Sequence, residues 1–242
     1  MITNDIDTFM VRAEKDTYCA KSLIPTSKFD SIHAWIDRKS DELCLRVSAK
    51  VLKTPDKAGS ILSVTDIERL VPIIKSHTGV CLTTDCLCNA RLTRVDIKRD
   101  IHFKTDTLKH VISSFREMCC ISTYKNEILT YYNDVGYENS LVIKSTFKTV
   151  KDSICIYDKL YEMWLKRNND KGYYYSFSDN FKKDYKDVIR FERRLQWAKA
   201  LRKALHIPQR ETVTLLHVFN YPYDLVADKV ESLLGNFEEI IK

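Results

Sequence analysis

Short runs in which apolar residues alternate with charged ones recur along the chain and predict strands. Asp7 to Ala13 reads as a first strand, and Glu42 to Leu52 as a longer one with Leu43, Leu45 and Val47 on one side. Between them Phe29 to Ile36 fits neither the strand nor the helix period. Ala90 to Phe103 places Val95, Ile97 and Ile101 on one face and Arg94, Asp96, Lys98 and Asp100 on the other, because successive strand side chains point to opposite faces. Ile128 to Tyr132 and Ser140 to Phe147 flank the turn sequence Asn133-Asp134-Val135-Gly136, and Lys151-Asp152 reads as a tight connection into the next strand. That strand is Ser153-Ile154-Cys155-Ile156-Tyr157-Asp158-Lys159, with Ser153, Cys155, Tyr157 and Lys159 on one face. Asp187 to Leu195 alternates once more, with Arg190, Glu192 and Arg194 together.

Helical spacing separates these runs. Thr65 with Glu68 three residues later predicts a capping box for a helix to about His77, with Ile67, Leu70, Val71 and Ile74 on one side. Pro72 should kink or shorten it, and Gly79 should end it. Thr105 or Asp106 caps a second helix to about Cys119, with the stripe Leu108, Val111, Ile112 and Phe115. Leu160 to Arg167 reads as a helix broken by Asn168-Asn169-Asp170-Lys171-Gly172, while Tyr173 to Tyr185 shows no period that types it. Ala198 to Leu205 is a basic helix closed by Ile207-Pro208. The residues after Thr212 are helical on either side of a Tyr221-Pro222 break. Hairpin-linked strands with interspersed helices predict an α+β fold: an antiparallel sheet with helices packed on one face and an open charged face carrying the active site.

At 242 residues and 44% hydrophobic content the chain buries a substantial core. Its 39 basic and 33 acidic residues leave a net charge of +6, which suits a nucleic-acid partner without requiring one. Met1 to Met10 has no basic residue and no apolar core, so it does not read as a signal peptide, and the cysteines are expected in a reducing cytoplasm. Cys81, Cys86 and Cys88 lack the paired knuckles of a zinc site. No apolar run approaches the roughly eighteen residues of a membrane helix, so no membrane partner is expected.

Three charged strand faces carry the candidate chemistry. Carboxylates on different strands supply hard oxygen ligands, so Asp96 and Glu192 are candidates to hold Mg²⁺ or Mn²⁺ against a phosphodiester. Tyr157 is the candidate nucleophile: a phenol attacks well only when a cation or base favours the phenolate, and Lys159 is the neighbouring cation. Tyr161 is a candidate second nucleophile, with Glu162 and Asp100 as reserve ligands or bases. Arg94, Arg190, Arg194, Lys199 and Arg202, with Lys203, are candidate DNA-binding residues, and Tyr173-Tyr174-Tyr175 offers stacking surfaces for unpaired bases. The same residues also suit solvated sheet faces with surface ion pairs, and periodicity alone leaves both readings open.

Four stretches in order resemble the replication initiators of filamentous phages, the gene II protein family, and more distantly the plasmid initiators of the Rep_trans type. Ser48-Ala49-Lys50-Val51-Leu52 is similar to the family's A-K-V-L segment, and Leu92-Thr93-Arg94-Val95-Asp96 to its S/T-R-I/V-D pattern. Tyr157-Asp158-Lys159 is similar to its tyrosine-lysine strand, and Ile189-Arg190-Phe191-Glu192-Arg193-Arg194-Leu195 to V/I-R-F-E-x-R. The likeness spans about Leu43 to Pro208. It implies a rolling-circle initiator in the cytoplasm of a bacterial host, which nicks and recloses one strand of an origin through a 5′-phosphotyrosine link. Tyr157 would be the nucleophile, Lys159 its cation, and Asp96 and Glu192 the metal-associated acids. Origin DNA, single-stranded or in a hairpin, would be the partner, with host helicase and polymerase beside it.

The resemblance also implies a nicking domain over residues 1–210 and a helical C-terminal extension over 211–242. None of the six histidines forms a His-x-His pair, in keeping with this family and unlike the commoner His-hydrophobe-His class. The phage proteins have a longer C-terminal part, so duplex-origin recognition is expected to be reduced, supplied by a partner, or moved beyond Thr212. Two alternatives remain: a non-catalytic origin or hairpin DNA-binding protein of the same fold, and a metal-dependent nuclease using water.

Overall fold

A computed structural model describes residues 3–20, 23–28, 30–103, 108–122, 126–132, 138–145, 151–165 and 172–241. Among the described residues the fold is α+β, with eight strands in one antiparallel sheet of order β2-β3-β1-β4-β8-β7-β6-β5. The strands are β1 (Asp5–Ala13), β2 (Ile32–Asp37), β3 (Glu42–Ser48), β4 (Arg91–His102), β5 (Asn126–Tyr132), β6 (Glu138–Ser145), β7 (Lys151–Asp158) and β8 (Val188–Gln196). The helices are α1 (Val64–Thr78), α2 (Thr84–Asn89), α3 (Leu108–Ser122), α4 (Lys159–Leu165), α5 (Asp179–Tyr185), α6 (Trp197–Leu205), α7 (Leu215–Phe219) and α8 (Leu225–Ile241). No helix among the described residues is long and apolar enough to cross a membrane.

Packing divides the chain into two units. The first comprises Met1–Lys53, Gly59–Ile97 and Leu195–Asp224, and the second Thr54–Ala58, Lys98–Arg194 and Leu225–Lys242. In the first unit, alternation and register cooperate. Phe9 pairs Val47, Val11 pairs Leu45 and Ala13 pairs Leu43, while Ile32, Ala34 and Ile36 extend the same apolar face across β2. Ile67, Leu70 and Ile74 of α1 are buried with them.

Three local expectations change here. Helix α1 starts from Ser63 rather than Thr65, and Asp66 reaches back to accept the Leu62 N–H at 2.9 Å, so the Thr65–Glu68 capping box is not used. The helix runs through Pro72, which lies on an exposed face, and closes at Gly79 with φ 74°, the left-handed cap that glycine adopts without penalty. Strand β3 stops at Ser48, and Ala49–Leu52 forms a 3-10 turn. Gly59 passes against that turn: a Cβ there would sit 1.7 Å from the Ala49 carbonyl oxygen. Gly59→Ala is therefore expected to destabilise the chain by about 3 kcal/mol, since backbone must move to admit it, and a lowered urea midpoint with an unchanged slope checks this.

In the second unit β5, β6 and β7 pair in register, with Ile128 opposite Ile143, Ile143 opposite Ile154 and Leu141 opposite Ile156. Helix α3 packs on β6 and against α8, and its Phe115 meets Phe191 of β8 edge to face at 5.9 Å. On the opposite side of the strands Ser140 stands across from Tyr157 and Val142 across from Cys155. The untyped stretch resolves into a 3-10 turn at Tyr174–Ser176 and helix α5. Its aromatics form a ladder: Phe177 stacks on Phe181 at 4.4 Å and Phe181 on Tyr185 at 4.6 Å. The expected cap at Thr105 or Asp106, the turn at Asn133 to Gly136 and the break from Asn168 to Lys171 lie outside the described residues.

Candidate active site

Tyr157 and Glu192 meet in the second unit. Tyr157 stands one residue before the end of β7, and its Oη donates to Glu192 Oε2 of β8 at 2.6 Å. Glu192 Oε1 accepts from Arg194 Nη2 at 2.7 Å, so each carboxylate oxygen has a partner although the residue is only 6% exposed. A carboxyl group this deep needs such partners, and the phenol supplies one of them.

The chain leaves β7 directly into α4. Asp158 caps the new helix by accepting the Tyr161 N–H at 2.8 Å, and burial pushes its carboxyl up against the pull of the Tyr161 and Leu160 amides. Lys159 is thereby placed on the first helical turn rather than on the strand face. Its Nζ lies 5.6 Å from the Tyr157 ring centroid and 2.7 Å from Glu162 Oε2, in a buried position. Tyr161 stacks on Trp164 with centroids 5.8 Å apart.

Arg190, a candidate DNA contact by sequence, lies deeper still, 1% exposed. Its Nε and Nη2 each donate to Asp100 at 2.7 Å, and Nη2 also donates to Tyr185 Oη at 2.7 Å, while Tyr185 Oη donates to Asp100. Burial alone would raise the Asp100 carboxyl, but the guanidinium fork holds it below its ordinary value. Burial also opposes the Arg190 charge, yet Asp100 raises its pKa well above the usual value, and Tyr157 adds to the favourable electrostatics. Burial pushes the Tyr185 phenol far up, so it remains a donor. Arg193 points to the other side of β8, donating to Asp152 at 3.0 Å and to the Leu225 carbonyl at 2.6 Å at the start of α8.

Asp96 belongs to the first unit. It is 2% exposed and forked by Arg94, whose Nε donates to Oδ1 at 2.9 Å. Arg46, near both, has its pKa lowered by burial and by the Arg94 charge. Arg202 donates Nε to the Glu211 carbonyl at 3.0 Å, and Lys199 and Lys203 are exposed. Of the tyrosine run, Tyr173 is buried against Met163 and Phe177, leaving Tyr175, 64% exposed, as its open ring.

Several members of the charged strand faces are buried, while Arg94, Asp100 and Arg194 stay partly exposed. Asp96, Lys98, Arg190 and Glu192 all lie below 7% exposure, whereas Ile101, expected on the apolar face, is 39% exposed. Sequence reasoning missed Tyr185, which sits in a stretch without periodicity and is brought to Asp100 by the aromatic ladder. Among the described residues no group of three or more His, Cys, Asp or Glu side chains is arranged to hold a metal ion. No family model matches the chain, and no curated protein matches it.

Proposed function

We propose that the protein is a DNA nicking and closing enzyme of the rolling-circle initiator kind, working by tyrosine transesterification. The observation that carries the reading is the 2.6 Å hydrogen bond from Tyr157 Oη to Glu192 Oε2. It gives the phenol a base already within proton-transfer distance, with the Lys159 ammonium 5.6 Å from the Tyr157 ring centroid and the Arg190 guanidinium coupled to the same tyrosine.

As Oη attacks the phosphorus of a DNA strand, Glu192 takes the phenol proton. The Oη–P bond forms and the P–O3′ bond breaks, and the departing 3′ oxygen recovers a proton from Glu192. One phosphodiester is exchanged for another, so the reverse attack by the 3′ hydroxyl recloses the strand without an added energy source. Arg194, carried on the same carboxylate, and Lys159 are the cations placed to meet phosphate charge.

Mg²⁺ or Mn²⁺ is the proposed cofactor, and the Glu192 carboxylate, now held by Arg194 beside Tyr157, would be its hard oxygen donor. When bound, such an ion would polarise the phosphodiester. Origin DNA is the proposed partner. The test incubates the protein with a randomised single-stranded DNA pool and Mn²⁺, then looks for an adduct that survives denaturation. Mass spectrometry should place the nucleotide on the peptide containing Tyr157. An adduct on Tyr161 would overturn the residue assignment, and strand cleavage without an adduct would favour hydrolysis by water.

A further inference from the structure

Trp197 opens α6 in a conformation that its side chain resists. Its φ is 68°, and the residue is 51% exposed. The other described non-glycine residues with positive φ are Asp41 and His206, types that tolerate the left-handed region better. A bulky aromatic held there stores strain, and strain of this kind persists where the presented side chain has a use. Exposing an indole adds a second unfavourable feature, because its ring is apolar.

The helix that follows is basic in a patterned way. Ala200, Leu201 and Leu205 are buried, while Lys199, Arg202 and Lys203 stand at i, i+3 and i+4 on the other side. Like charges at that spacing repel, and no acidic residue of the helix relieves them: Lys199, Arg202 and Lys203 are accompanied by no Asp or Glu from Trp197 to Leu205. Glu211, the next acid, is engaged with His217 at 2.9 Å.

We propose that Trp197 and the basic side of α6 form a binding surface for an unpaired DNA strand, with a base stacked on the indole and phosphates on Lys199, Arg202 and Lys203. The inference rests on DNA being the substrate of the nicking reaction, and adds which form of DNA this surface takes. A flat, exposed ring discriminates by stacking, and the bases of a duplex have no open face to offer it. Cations alone would bind both forms, with steep salt dependence.

Replacing Trp35 and Trp164 with Phe leaves Trp197 as the sole tryptophan. Oligothymidylate is expected to quench its fluorescence to saturation, and a duplex of the same length is expected to leave it nearly unchanged. Trp197→Gly should weaken oligothymidylate binding about tenfold, as loss of one stacked base does. Its thermal midpoint should hold or rise, since glycine takes this φ without strain. Trp197→Tyr should retain binding within about threefold, because the stacking ring is kept. Absent quenching, equal quenching by the duplex, or Trp197→Gly binding as tightly as the parent would each overturn the proposal. Loss of the covalent adduct with quenching intact would strike the nicking chemistry alone. Loss of quenching with the adduct intact would strike this surface alone.

Discussion

Tyr157→Phe is expected to abolish the covalent DNA adduct and to lower strand nicking by ~10³-fold or more, the scale on which removal of an attacking group acts. The substitution deletes one oxygen and keeps the ring, so the packing of β7 against its neighbours is retained. Its cost in stability is the hydrogen bond to Glu192, about 1 kcal/mol, together with a Glu192 oxygen that must find water or another donor. Binding of DNA should persist with the same salt dependence, since no cation is removed. Glu192→Gln should also suppress the adduct, because the amide cannot accept the phenol proton, and it loses the charge that holds Arg194. Nicking that survives Tyr157→Phe at the parental rate would point to water as the nucleophile. An unfolded Tyr157→Phe protein would mean that the hydroxyl is chiefly a structural partner of Glu192. Circular dichroism and gel analysis of the same preparation separate these outcomes.

The strands around this site were legible because alternation survives in them. Asp7–Ala13, Ala90–Phe103 and Asp187–Leu195 are each within two residues of the observed β1, β4 and β8. The face shared by Tyr157 and the Arg190, Glu192, Arg194 set follows from that period, and the Tyr157–Glu192 bond realises it. What alternation does not encode is burial of the charged face. A charge repeated every second residue reads as a solvated surface, and its partner inside can be near in the chain, as Arg94 is for Asp96, or far from it. Arg190 finds Asp100 ninety positions away, and no local pattern announces the pair. Tyr185 was illegible for another reason. The segment from Tyr173 buries aromatics through ring stacking across a 3-10 turn and a short helix, so neither the period of two nor that of 3.6 is sustained. Lys159 shows the limit at an element boundary: strand spacing places it beside Tyr157, whereas the Asp158 cap turns the chain into α4 one residue earlier.

Arg190→Met is expected to destabilise the protein by about 2–3 kcal/mol, a larger loss than removal of the Tyr157 hydroxyl, because it takes the fork from Asp100, a half-buried carboxylate that water can only partly satisfy. The charge itself is not what the fold requires. Arg190→Met combined with Asp100→Leu removes both members of the pair and should recover much of the loss, leaving Tyr185 Oη as the group still needing a partner. A double variant no more stable than Arg190→Met would mean that the guanidinium works mainly through other contacts. The pair also sets an acid limit. The folded-state pKa of Asp100 is depressed, so its contribution is fully present above the unfolded carboxylate value of about 3.9 and is lost as pH falls through the lower folded value. Denaturant midpoints between about pH 5 and pH 2 should therefore fall more steeply for the parent than for Asp100→Asn, which has no carboxyl to protonate there. Parallel acid limbs in the two proteins would show that other carboxylates govern acid unfolding. If the limbs diverge, the Arg190 fork is an ionic clamp on the sheet strand that carries Glu192, the carboxylate that meets Tyr157.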